Sequence, residues 1–384
     1  MTAQRPSSSA DLAELLVRAS EQRQTIAIEG AGTKRGWGSI AAPADLTIST
    51  RSMSAVVAHR HADLTATVQA GATLADVNRE LAQHGQWIAL DPPFADRATI
   101  GGILATNDSG PRRHRFGAPR DQIIGVEIVR VDGIVAKAGG IVVKNVAGYD
   151  LGRLMTASFG SLAAIASATF KLYPMAPASR TVIVDAHDMT PIVAALSASQ
   201  LTPTAIELET HPSRLLVRFE SIEAAAEQQA AQAASIAASH GGRATIVGAA
   251  EEAALWDAHA QRPWSSEGAV VKLTLLPAEV GPTLAFLGER LRDVEWEAIG
   301  RAGVGVLLAR VNGDVAGQRH AIDTLRARLP PGRGSVVMLR ASDELKQMVD
   351  VWGAAGDALP VMRAIKDQFD PDRRLNPGRG PFGI

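Results

Sequence analysis

The segments TIAIEG, LTIST and LTATVQAGA in the first seventy-odd residues read as strands. GVEIVRVDGIVAKAGG alternates apolar and polar positions on both sides of Asp132-Gly133, which predicts a hairpin turning at that pair. Helical spacing takes over after Asp150, a candidate N-cap. Leu151, Leu154, Met155 and Phe159 share one face, and Gly160 is expected to close the helix before the strand SATFKLYP. A further helix is predicted from Thr73, where Thr73 and Asp76 form an acidic variant of the capping box and Gly85 takes the C-cap place. Near the end, Leu359, Met362, Ile365 and Phe369 line one helical face, with Pro360 in the first turn and Pro371 as the stop.

From about residue 179 the pattern changes to alanine-rich helices alternating with short strands such as AIELE, RLLVRFE, VVKLTLLP and GVGVLLARV. The chain is therefore read as an α+β protein in two parts. The first part covers 1–178, with 1–10 as a disordered tip. An α+β cap covers 179–345, and 346–384 returns to the first part. The helix EAAAEQQAAQAASIAAS has a narrow apolar face and is expected as a solvated outer helix. His187, His211, His240, His259 and His320 stand singly, without metal-ligand spacing, and each is expected at the surface.

Glycine marks the candidate chemistry. Gly101-Gly102, Gly110 and Gly117 place 99–117 in a loop, since glycine weakens the interior of helix or strand. A second glycine-rich stretch, GAGTKRGWG over 30–38, sits between TIAIEG and LTIST. It lacks the Gly-Lys-Ser/Thr of a Walker A loop. A Rossmann turn is also excluded, because Pro43 comes too soon for the required helix and LTIST ends in Thr50 and Arg51, not an acid. Bare amides gathered in such loops suit a large phosphate-bearing ligand, and they equally suit plain tight turns. The string Arg112, Arg113, His114, Arg115 reads as a solvated loop.

Composition narrows the chemistry. In 384 residues there is no cysteine, which removes disulfides, thiolate catalysis and cysteine-ligated iron–sulfur clusters from the chain's own repertoire. Any electrons it handles must be carried by a bound organic cofactor. The net charge of −1 points to neither nucleic acid nor an anionic membrane. No apolar run approaches the roughly 20 residues of a membrane-spanning helix, and the start lacks a signal peptide's apolar core, so a cytoplasmic location is expected.

The ordered series TIGG, ATNDSG, RFGAPRDQIIGVEIVRVDG, VKNVAGYDLGRL and SFGSLAAIASATFKLYP resembles the PCMH-type FAD-binding domain of the vanillyl-alcohol oxidase family. GGIVVKNVAGYDLGRL is more narrowly similar to the FAD-binding E subunit of bacterial glycolate oxidase, and FDPDRRLNPGR resembles the family's terminal signature. The resemblance implies FAD as cofactor, with 30–38 as its pyrophosphate loop. The amides of Ala31, Gly32, Thr33, Lys34 and Arg35 would then face the phosphates, with Gly30 and Gly36 supplying the unusual dihedrals. It places Pro92, Thr99, Ile100, Gly101 and Gly102 along the flavin and its ribityl-phosphate chain. It adds Ala105, Thr106, Asn107, Gly110, Arg115, Gly117, Gly160, Ser161 and Ile165 to the cofactor's surroundings. Tyr149 is a candidate to pack on the flavin and Asn376 to approach its ring.

Attachment is expected to be non-covalent, because the loop GAGTKRGWG and the TIGG stretch hold no His or Cys of the kind the family uses for it. The implied function is that of a FAD-binding subunit of a glycolate (2-hydroxy acid) oxidase complex, beside a larger flavin subunit and an iron–sulfur subunit. The alternatives are a self-sufficient FAD-dependent oxidoreductase and a non-catalytic flavoprotein scaffold. Catalytic relatives carry a His-rich metal-binding stretch in the cap and a second before the terminal helix. The corresponding places here read Arg301-Ala302-Gly303-Val304-Gly305-Val306 and Val351-Trp352-Gly353-Ala354-Ala355-Gly356, without His, Asp or Glu. No catalytic residue is assigned, and no metal is expected.

Overall fold

The computed structural model describes residues 3–141 and 150–384. They divide into two compact units.

The first unit draws on Met1–Gly110, Phe116–Met175 and Ala355–Ile384. Two short parallel strands open it, β1 (Ile26–Glu29) and β2 (Leu46–Ser49), with no helix between them. Segments from both ends of the chain dock on this pair, Gln4 beside Ile48 and Leu375 beside Ile26. Residues 4–8, expected in a disordered tip, are therefore held. Gln4 N donates to Thr47 O, Ser49 N donates to Gln4 O, and Ser8 caps the helix Ser9–Glu21 by accepting from Asp11 N. Leu12 and Leu16 of that helix are wholly buried with Ile26, Ile48 and Leu375.

Next come β3 (Val56–Arg60), β4 (Thr65–Gln69), β5 (Gln86–Trp87), β6 (Ile123–Val129), β7 (Val135–Gly139), β8 (Ala164–Lys171) and β9 (Tyr173–Pro174). Five of them make one antiparallel sheet in the order β3-β4-β8-β6-β7, while β5 pairs with β9. The hairpin β6–β7 turns where Asp132-Gly133 predicts it, with Gly133 at φ 81°. The helix Leu74–Leu81 is capped by Thr73, whose hydroxyl accepts from Asp76 N.

Two expectations need correction. Ile100–Thr106 is a helix, not a loop. Thr99 caps it, Ile100, Ile103 and Leu104 bury its inner face, and Gly101 is required by packing. A Cβ there would stand 2.9 Å from Ala70 Cβ and 3.1 Å from Ala70 O. Close approach to the end of β4 outweighs glycine's poor helix propensity. The helix after Asp150 ends at Met155, one turn earlier than Gly160. The chain leaves it to donate from Ala157 N to Leu104 O and from Phe159 N to Ala105 O, with Ala157, Phe159 and Gly160 all left-handed.

The second unit takes Pro111–Arg115 and Ala176–Ala354. Its strands are β10 (Ala178–Asp185), β11 (Ala205–Thr210), β12 (Ser213–Ser221), β13 (Arg243–Gly248), β14 (Ala269–Leu275), β15 (Trp296–Arg301), β16 (Val306–Val311) and β17 (Gly334–Arg340). They form one antiparallel sheet in the order β13-β10-β12-β11-β15-β16-β14-β17. The helix Glu223–Ser239, expected as a solvated outer helix, buries a stripe of Ala226, Ala230, Ala233 and Ala237 against the sheet. Small side chains let it lie close. Among the described residues no helix is long and apolar enough to cross a membrane.

Candidate cofactor site

The site in the first unit begins with the loop after β1. Gly30 is fixed by proximity, since a Cβ there would fall 2.0 Å from Thr99 Oγ1. Gly32 carries the left-handed backbone at φ +73°, and Gly38 follows at φ 82°. The expectation that Gly30 and Gly36 supply the unusual dihedrals is thus corrected; Gly36 meets nothing within 4 Å. Arg35 N donates to Gly32 O and Trp37 N donates to Lys34 O, so two turns follow each other. The Arg35 amide is therefore occupied. The amides of Ala31, Gly32, Thr33 and Lys34 donate to no acceptor among the described residues. Four polarised N–H groups in one turn form a concavity suited to an anion.

A cleft opens beside this loop. Gly30, Ala31, Gly32, Thr33, Lys34 and Arg35 form one wall, and Thr99, Gly101, Gly102, Ala105 and Thr106 form another. Gly160 and Ile165 lie on a third. The remaining expected residues lie outside this lining. Ile100 is buried in the core, and Gly110 lets the chain pass Asp91, where a Cβ would meet Asp91 O at 1.8 Å. Asn107 ends its helix at φ 48°, Gly117 turns left-handed beside Asp121, and Pro92 is buried and not part of the lining. Arg115 is exposed and belongs to the second unit. Tyr149 falls outside the described residues. Phe116, beside Gly117, packs edge-on to Trp87 and Tyr173.

Ser161 and Asn376 serve the walls. Ser161 Oγ donates to Ser158 O, and its carbonyl accepts from the buried Lys366 Nζ at 2.7 Å. Burial pushes the Lys366 ammonium down, against the hydrogen bond and charge of Asp370 at 2.6 Å. Asp370 also accepts from Arg374 N and Leu375 N, locking the tail's entry. Asn376, expected near the flavin ring, has its amide fully committed to backbone. Its Oδ1 accepts from Ile28 N, and its Nδ2 donates to Phe159 O and Gly160 O.

Sequence reasoning missed Glu29, Phe159 and Arg379, all part of the lining. Glu29 takes Arg35 in a fork at 2.7–3.1 Å. Lys34 Nζ lies 3.2 Å from Asp108 Oδ2, both side chains buried. Arg379 Nη2 donates to Lys34 O and Arg35 O, and its Nε is buried without a partner. A dinucleotide's two phosphates fit this arrangement, because the loop offers unpaired amides and Arg379 in the lining has no carboxylate partner among the described residues.

The second unit holds a buried charged cluster. His259, expected at the surface, is 1% exposed between Glu207 at 2.9 Å and Glu209 at 2.7 Å. Burial opposes its charge, but hydrogen bonds and charge from both carboxylates outweigh that and raise its pKa. Burial likewise works to raise Glu209, and hydrogen bonds from His259 and Arg214 turn the balance downward. Arg301 pairs with Glu207 at 3.4 Å. The basic string also departs from a solvated loop, for Arg112 forks onto Glu220 and His114 lies against Gly303. Burial lowers the His114 pKa, and its Nδ1 is buried without a partner among the described residues.

Residues 3–150 match the FAD binding domain family, and residues 352–379 match the C-terminal domain of FAD linked oxidases. The fold is that of the PCMH-type FAD-binding proteins. Its cofactor is FAD. This flavoprotein is 31% identical over 217 residues to glycolate oxidase subunit GlcD of Bacillus subtilis, covering 55% of this chain and 46% of that one. It is 32% identical over 169 residues to glycolate oxidase subunit GlcE of Escherichia coli, covering 44% and 48%. The chain thus spans less than half the length of these two relatives. A longer match, 26% identical over 398 residues, covers 93% of this chain and 84% of D-2-hydroxyglutarate dehydrogenase of Xanthomonas citri pv. viticola. Among solved structures, alkyldihydroxyacetonephosphate synthase superposes with a TM-score of 0.74 at 16% identity, covering 97% of this flavoprotein and 75% of that chain. Glucooligosaccharide oxidase from Acremonium strictum follows the same fold with a TM-score of 0.66 at 15% identity, covering 96% and 89%.

Proposed function

We propose that this flavoprotein is the FAD-binding subunit of a 2-hydroxy acid oxidase or dehydrogenase assembly of the glycolate class. It would work beside a larger flavin subunit that hosts substrate oxidation and an iron–sulfur subunit that takes the electrons onward. FAD, when bound, accepts two electrons from a donor and passes them on. The loop after β1 would hold its pyrophosphate on the amides of Ala31–Lys34, and the helix capped by Thr99 would supply the glycine wall beside it. Asn376 and Lys366 would position these walls through their backbone bonds.

The observation that carries this reading is how the 301–306 turn is used. Where catalytic relatives are expected to hold a metal-binding stretch, this chain folds a tight β15–β16 turn. Arg301 is 4% exposed and paired with Glu207, and Gly305 is left-handed at φ 75°. Residues 351–353 are likewise structural. Val351 O accepts from Met338 N, and Asp350 Oδ1 accepts from Trp352 N and Gly353 N. Neither stretch offers a side chain that could take the hydroxyl proton of a 2-hydroxy acid.

A second reading, a self-sufficient 2-hydroxy acid dehydrogenase, has two observations in its favour. One is the long match to D-2-hydroxyglutarate dehydrogenase. The other is His114, whose lowered pKa and unpaired buried Nδ1 suit a proton acceptor. Purification of the tagged protein from its native host separates the two. The first reading expects a larger flavin chain and a cysteine-rich iron–sulfur chain to accompany it. A solitary yellow protein that oxidises a 2-hydroxy acid supports the second and removes the first.

A further inference from the structure

The cleft beside β1 is edged by three cations, and they differ in how their charge is met. Lys34 has Asp108 and Arg35 has Glu29. Arg379 has no carboxylate partner among the described residues; it gives Nη2 to the carbonyls of Lys34 and Arg35 and keeps a buried Nε–H that donates to nothing. Burial is the chief influence lowering its pKa, with Arg35 adding to the effect and Glu29 opposing it. An arginine stays charged under such pressure. The fold therefore keeps a half-buried positive charge against the loop whose amides of Ala31–Lys34 donate to no acceptor among the described residues.

Arg379 reaches this place on a tail that the fold holds firmly just before it. The segment is anchored by Asn376 N donating to Ile26 O, by the Asn376 amide, and by Asp370. Arg379 N donates to Asn376 O, which closes the turn that aims the side chain at the loop. Gly378 allows that turn at φ 76°.

We propose that Arg379 is the counter-charge for the FAD pyrophosphate, so that the C-terminal tail acts as a clasp tightened by the cofactor itself. The inference rests on reading 30–38 as the pyrophosphate loop. A dianion seated on the free amides would meet a charge already half-buried and already held by two loop carbonyls. Little reorganisation is left to oppose binding, and charge-assisted hydrogen bonds of this kind are the strong ones. Removing FAD would leave the tail held by Asn376, Asp370 and the two bonds from Arg379 to loop carbonyls, without the contact to phosphate.

The test compares wild type, Arg379→Gln, Arg379→Lys and, as a tail control, Arg373→Gln, which loses only an exposed pair with Asp367. FAD binding to the apoprotein is followed by flavin fluorescence at several salt concentrations, with ADP as a competitor that shares the pyrophosphate. Arg379→Gln should weaken FAD and ADP by the same factor, about 10- to 100-fold, and flatten the salt dependence. Arg379→Lys should keep the wild-type salt dependence with a smaller loss, and Arg373→Gln should match wild type. Hydrogen exchange over 373–380 should slow on FAD addition in wild type and not in Arg379→Gln. Equal FAD affinity in Arg379→Gln, or a loss of affinity with unchanged salt dependence in Arg379→Gln, would overturn the counter-charge. ADP that fails to displace FAD from wild type would instead remove the pyrophosphate-loop reading beneath it.

Discussion

Asn376 Oδ1 accepts from Ile28 N at 3.0 Å, joining two residues 348 positions apart. The same amide donates to Phe159 O and Gly160 O, so one side chain ties β1, the turn after the Leu151–Met155 helix and the C-terminal tail. Its own backbone is left-handed at φ 44°, a conformation asparagine tolerates better than most residues. Gly160 opposite must remain glycine, since a Cβ would stand 2.5 Å from Asn376 Nδ2. Asn376→Ala should therefore lower stability by about 1–3 kcal/mol for the orphaned Ile28 amide alone. Thermal melting of the apoprotein checks this, and an unchanged transition would contradict it.

Gly102→Asp tests the glycine wall. A carboxylate there would occupy cleft space and repel phosphate, while the nearest atom to a new Cβ is Thr99 Oγ1 at 3.2 Å, a modest crowding. Cofactor binding stabilises by about 2.7 kcal/mol at a hundredfold excess over the dissociation constant. The variant should melt close to wild type without FAD and well below it with FAD supplied to both. Equal FAD-induced stabilisation would show that Gly102 does not face the cofactor.

Much of this frame was legible locally. Thr73 with Asp76, Asp132-Gly133 and the 359–369 apolar face each gave an element from neighbours in sequence. The helix at Ile100–Thr106 did not, because Gly101 is demanded by Ala70, just past the end of β4. His259 was hidden for the same kind of reason. Its partners Glu207 and Glu209 sit two apart on one face of β11, and only that spacing of two acids in an apolar strand hinted at a buried cation. Arg379 gave no signal beyond a Pro-Gly turn, since its meaning lies in a loop 345 positions away.

His259 should remain an imidazolium where a free ring is neutral. Its folded pKa is raised, so folding takes up a proton. The stabilisation is complete below the ordinary value of 6.5 and is lost as pH rises through the folded value. Nitrogen-15 NMR of the ring should show both nitrogens protonated above pH 6.5, and unfolding should become easier as pH rises further. A ring titrating at or below 6.5 would contradict the cluster.

FAD should leave the protein without bond cleavage. Among the described residues no His or Cys lines the cleft, so that lining offers no nucleophile of the kind used for covalent flavin attachment. Acid precipitation should send the flavin into the supernatant. Flavin kept in the washed pellet would overturn this.

The central claim is that this chain binds FAD but leaves 2-hydroxy acid oxidation to a partner. The most direct measurement is an anaerobic mix of the FAD-loaded protein alone with excess glycolate, D-lactate or D-2-hydroxyglutarate, following flavin absorbance. The account predicts that the flavin stays oxidised with all three and bleaches only once the partner subunits are added. Rapid bleaching by any of them without a partner, lost in His114→Ala, would contradict it and make the chain a dehydrogenase in its own right.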